Sequence, residues 1–89
     1  MTRNELKEFR RLRWKYIKTG SGWIMRSRRY RDLYLDFWIA ADKLDGVQRV
    51  IFVEYYHNAR SIVYIAMQLN YSERTVLRIK SSAVGLVAV

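Results

Sequence analysis

At 89 residues the chain can form one small domain, or one domain with an arm. With no Cys and a single His, disulfides, thiolate metal sites and zinc fingers are excluded. The net charge of +9 is unevenly spread: residues 1–31 hold eleven Lys or Arg against two acids, and the remainder holds six of each. A polyanion is therefore the expected partner of the first third. Phosphate contacts with counterion release would supply that binding, with little sequence information.

No Pro and only four Gly occur, and aromatic content is high, which suits a helical protein rather than a disordered one. No apolar run reaches the length of a membrane span, and no signal-peptide pattern follows the basic start. The expected setting is cytoplasmic, bacterial or phage, with no membrane partner.

From about Thr2 to Lys18 the spacing predicts a helix. Thr2 or Asn4 can cap it, with Glu5 and Glu8 near its start. Leu6, Phe9, Tyr16 and Ile17 fall on one stripe, which Arg13 interrupts. Lys7, Arg10, Arg11, Lys15 and Lys18 take the other side. Three readings stay open: a basic helix on a nucleic-acid backbone, a solvated helix packed on the second half, or a helix on an anionic membrane surface. Arg10, Arg11 and Lys15 are the phosphate candidates here. Trp14 suits a buried or interface position better than base stacking.

Thr19-Gly20-Ser21-Gly22 reads as a loop, either a hinge freeing the arm or an ordinary connection. Trp23 to Arg31 interleaves aromatic and basic residues. Such mixing serves single-stranded nucleic-acid sites, with Arg28 and Arg29 as further phosphate candidates. The preferred reading is a helix start with Arg side chains over aromatic faces.

A strong helix is expected from about Ser27 to Leu44. Tyr30, Leu33, Tyr34, Phe37, Trp38, Ala41 and Leu44 mark its apolar face, widened by Leu35 and Ile39. Such breadth implies burial on two sides, one against the helix-turn-helix and one against a second protomer or RNA polymerase. Asp45-Gly46 ends this helix, and Val47 to about His57 forms the next, with Val47, Val50, Ile51 and Tyr55 inward.

The stretch from Ile62 to Ser81 reads as a helix-turn-helix. Ser61 caps the first helix, Asn70 supplies the left-handed turn residue, and Ser72 caps the second, with Glu73 in its first turn. Ile62, Ile65, Ala66 and Leu69 face Val76 and Ile79, followed by Ala83 and Leu86. Ala66 suits a close helix crossing, and Tyr71 can plug the corner. Glu73, Arg74, Leu77 and Arg78 are left outward, where such a motif meets base edges. The plainer alternative is a two-helix corner without DNA. The final Gly85–Val89 run either frays or docks on a partner.

The run Val50–Ala83, with its core YIAMQLNYSERTVLRIKSSA, resembles region 4 of bacterial sigma factors. It is more closely similar to the small phage late-gene activators of the RinA and ArpU type. Those share an isoleucine-alanine pair, a tyrosine-serine lead-in to the recognition helix, and a following alanine and leucine. Ile65-Ala66, Tyr71-Ser72, Ala83 and Leu86 match these features. The resemblance covers roughly the C-terminal 40 residues and implies sequence-specific binding of duplex DNA near a promoter.

The expected fold is all-α, with four to five helices and a C-terminal helix-turn-helix. Residues 1–45 would form a basic segment with a partner or oligomerisation surface, and residues 46–89 the DNA-binding part. The expected function is a transcriptional regulator, a phage or prophage activator. Double-stranded DNA is the partner, with RNA polymerase and a second copy as further candidates. Ser61 would hold a phosphate. Arg74 and Arg78 would contact bases or phosphates, Glu73 would select cytosine, and Ser72 and Thr75 would add hydrogen bonds, with Tyr71 beside them. No catalytic, metal or cofactor constellation is visible. Glu54 and His57 share a helical face but lack a neighbouring nucleophile. The alternatives are a small terminase-like packaging component and a polymerase-binding module.

Overall fold

A computed structural model describes residues 1–89. The chain is all-helical, with helices α1 (Arg3–Thr19), α2 (Gly22–Arg26), α3 (Arg28–Ala41), α4 (Gly46–Phe52), α5 (Ile62–Leu69) and α6 (Glu73–Val87). A π-helical turn, Val53–His57, continues α4. The six helices exceed the expected four to five because the Trp23 segment forms its own short turn of helix. Ser27 then takes an extended conformation, and its hydroxyl accepts from the Tyr30 amide to start α3. No helix is long and apolar enough to cross a membrane.

Local sequence sets the helix ends. Thr2 and Glu5 form a reciprocal capping box at the start of α1. The Thr2 backbone amide on the Glu5 carboxylate holds that carboxyl below its usual range. Gly20, at φ 64, ends α1 in the left-handed conformation that favours glycine.

The main core joins both ends of the chain. Leu6 and Phe9 of α1 meet Tyr30, Leu33 and Phe37 of α3, Phe52 of α4, and Ala83, Val84 and Val87 of α6. Phe37 lies between Phe9 and Phe52, with centroid separations of 4.7 and 5.0 Å. Each such buried aromatic stabilises by roughly 1.5–3 kcal/mol. A smaller cluster of Ile51, Ile65, Ala66 and Val76 ties α4 to α5 and α6. Tyr55 packs on both clusters.

Several expectations are corrected. Helix α1 is no free arm, because Leu6 and Phe9 are fully buried. Val50 faces outward, whereas Phe52 and Tyr56 go in; Leu35 and Ile39 are exposed, on the side of α3 where a partner is expected. On α6 Val84 and Val87 are buried and Leu86 is exposed. The C-terminal run does not fray: α6 extends to Val87, and the Val89 amide donates to the Met1 carbonyl at 3.1 Å. The two chain ends therefore meet.

Candidate nucleic-acid interface

Helices α5 and α6 are joined by the three residues Asn70-Tyr71-Ser72. Ser61 caps α5 by accepting from the Tyr64 amide at 3.1 Å. At the other end Asn70 is left-handed, at φ 57 and ψ 41. The Tyr71 amide donates to the Ala66 carbonyl at 2.9 Å and the Asn70 amide to Met67 at 3.3 Å. These are the paired bonds of a Schellman ending, which satisfy carbonyls that a helix terminus would otherwise orphan. Ser72 then accepts from the Thr75 amide at 3.1 Å, and the two hydroxyls share a 2.9 Å hydrogen bond. Ala66, only 5% exposed, lets α5 and α6 approach over Ile65 and Val76.

The corner fixes what α6 presents. Ser72, Glu73, Arg74, Leu77 and Arg78 are exposed and Thr75 is half-buried. Arg74 and Arg78 make no hydrogen bond or ion pair within the chain, so both guanidinium groups are free for a ligand. The Ser61 and Ser72 hydroxyls already serve as caps, and Thr75 Oγ1 accepts from the Ser72 hydroxyl. Tyr71 does not plug the corner, since it is 42% exposed and stands at the surface with Met67 and Leu77. Ala66, Leu69 and Ile79 belong to the small apolar cluster between α5 and α6, and Tyr71 takes no part in it.

The basic N-terminal residues divide into two sets. Arg10 and Arg13 turn inward and cap the helix Gly46–His57. Arg10 donates to the carbonyls of Tyr55 at 3.0 Å and Arg60 at 3.1 Å. Arg13 donates to the His57 carbonyl at 2.7 Å and to the Tyr30 hydroxyl at 2.9 Å. Cations at a helix C-terminus also meet the negative end of its dipole. Arg29 clamps the Glu8 carboxylate through two hydrogen bonds, at 3.1 and 2.8 Å, and lies 3.8 Å from Glu5. Those bonds hold the Glu8 carboxyl below its usual range. Arg29, expected at a phosphate, is thus committed to carboxylates within the chain, whereas Arg10 is held in place by neutral carbonyls and keeps its charge.

Arg11 and Lys15 remain exposed and unpaired, and Arg28 has only a loose 4.0 Å approach to Asp32. On the outer face of α1, Arg3, Lys7, Arg11, Lys15 and Lys18 form one cationic stripe with Trp14, which is 48% exposed. Of the two expected places for Trp14, buried or at an interface, its exposure excludes the first. Helical periodicity carried the signal for most of this stripe. Nothing local pointed to Lys80 of α6, which the fold brings to its edge.

His57 sits among Phe9, Tyr34, Phe37 and Trp38, with centroid distances of 5.1 to 6.4 Å. Burial lowers its imidazole below the ordinary value of 6.5. Asn58 lies within hydrogen-bond distance of His57 Nδ1 at 2.8 Å and donates to Glu54 at 3.0 Å, linking the two residues indirectly. Comparison of the chain with protein-family models, curated proteins and solved structures returns no match.

Proposed function

We propose that the chain is a sequence-specific DNA-binding transcriptional regulator that lays the first half of α6 in the major groove. The observation that carries this reading is the pair Arg74 and Arg78, exposed and unpartnered on a helix whose start is fixed by Asn70 and Ser72. A guanidinium in that position can bind guanine through two hydrogen bonds. Glu73 would favour cytosine, and the cationic face of α1 would add phosphate contacts without a sequence code. The resemblance to late-gene activators of the RinA and ArpU type supports a phage or prophage setting.

Selection of bound duplexes from random DNA supplies the test. Arg74→Ala removes no core atom, so folding stability should hold. The ratio of affinities for selected and scrambled duplex, at one salt concentration, should collapse by roughly 5- to 150-fold. Equal weakening on both duplexes would make Arg74 a phosphate clamp. No change on either would remove α6 from the groove.

One observation favours a second reading, a polymerase-binding module. Leu35 and Ile39 stand on the outer face of α3 at 64% and 62% exposure. Retained polymerase capture with no duplex binding at low salt would move that reading to first place.

A further inference from the structure

The geometry points to a second binding site, a phosphate-binding groove between α1, the π-helical turn and α6, which holds the backbone of duplex DNA beside the sequence that α6 reads. It is a groove of about 470 Å³ lined by Lys7, Arg10, Arg11, Trp14, Tyr55 and Lys80, with Tyr56 at its base. Toward the start of α1 it continues past Arg3 and Ser81. None of these residues is acidic.

The charges are held in place. Two cations lie over the Tyr55 ring, the Arg10 guanidinium 4.1 Å from its centroid and the Lys80 ammonium 4.5 Å away. Arg10 is anchored on the Tyr55 and Arg60 carbonyls, so it is a fixed charge in the wall rather than a mobile arm. Lys7, Arg11 and Lys80 take part in none of the ion pairs of the molecule. The acids of α1, Glu5 and Glu8, face α3 and are occupied by Arg29. The fold thus gathers four cations around an aromatic wall and directs the nearest carboxylates elsewhere. Their mutual repulsion is relieved by an anion in the groove.

Two features single out duplex DNA among polyanions. The groove opens onto the α1 stripe, where Arg3 to Lys18 spans about 22 Å at 1.5 Å per residue. That length runs beside many charges of a duplex, which carries one per roughly 1.7 Å of axis. Lys80 also belongs to the helix that bears Arg74, about 9 Å further along its axis. A phosphate held at Lys80 is therefore in fixed register with bases met by Arg74. This assignment rests on the reading of α6 above only for which stretch of DNA lies in the groove.

The test is the double variant Lys7→Gln/Lys80→Gln, titrated with selected and scrambled duplex across a salt series. Both affinities should fall by a common factor, and the slope of log affinity against log salt should become shallower by about 1.8. The ratio between duplexes should stay fixed. An unchanged slope with folding intact overturns the groove. So does a changed duplex ratio at constant slope, which would mean these lysines read bases. Arg11→Gln, on an exposed side chain, provides a second variant if the first alters the unfolding curve; its expected slope change is about 0.9. Inorganic pyrophosphate is titrated in parallel. Saturable pyrophosphate binding that duplex fails to displace would reassign the groove to a free phosphate ligand. The Arg74→Ala result is separate, since loss of base reading leaves the salt slope of an unrelated duplex available for measurement.

Discussion

Asn70 holds φ 57 at the turn between α5 and α6, where its amide and that of Tyr71 close the end of α5. Its short polar side chain makes that conformation accessible. Asn70→Val places a β-branched residue there and should lower unfolding free energy by about 1–3 kcal/mol. Asn70→Gly should fold normally, and chemical denaturation of both variants checks the contrast. His57 gives a pH signature. Its imidazole is lowered by burial, so the native state disfavours the proton that the unfolded chain accepts. Stability from this site is complete above pH 6.5 and falls as pH drops below that value, levelling once the folded-state value is passed. Denaturation between pH 7.5 and pH 5 should show the decline, and His57→Gln should flatten it. The carboxyls of Glu5 and Glu8 act at lower pH, below their ordinary 4.5. At this scale the caps at Thr2, Ser61, Asn70 and Ser72 were legible, because each depends on its own backbone and a partner within a few residues. Tyr71 was not, because its exposure depends on which side chains of α5 and α6 form the cluster between them, and Tyr71 is not one of these.

Arg13 interrupts an apolar stripe on α1, and only the packing of α1 against the π-helical turn explains it. Its guanidinium satisfies the His57 carbonyl and the Tyr30 hydroxyl together. Arg13→Met keeps the stem and removes both donors. It should destabilise by about 1.5–3 kcal/mol, the range for hydrogen bonds to charged groups. Equal midpoints for variant and parent in urea would show that this cap contributes nothing. The turn itself was hidden from periodicity, which assigned one regular helix to Val47–His57. Five residues of wider π-helical winding bring Tyr56 nearly into line with Phe52, and both enter the main core; Val50 lies in the regular helix before that turn and faces solvent. The all-α class survives such shifts, because helical spacing over ten or more residues outweighs one irregular turn.

Five of the nine excess positive charges lie on α1, a helix that is also part of the core. Truncation of residues 1–18 removes Leu6 and Phe9, both fully buried, together with the inward guanidinium groups of Arg10 and Arg13. Burial of each apolar side chain contributes roughly 1.5–3 kcal/mol, against net domain stabilities of about 5–15 kcal/mol. The truncated chain should lose its cooperative thermal transition, as followed by far-ultraviolet circular dichroism. A transition that persisted would restore the picture of a separable arm. The asymmetry of charge was legible from composition, and so was the cationic face of α1. The meeting of Lys7 with Lys80 was not, since no local pattern joins residues so distant in sequence.

The hydrogen bond from Val89 to Met1 gives the molecule the topology of a ring with a single cut. The order in which the helices are synthesised is then one of several that could build the same packing. A short linker across that cut, with a new opening at the exposed Asp42-Lys43 turn, would make α4 the first helix and α3 the last without dividing either.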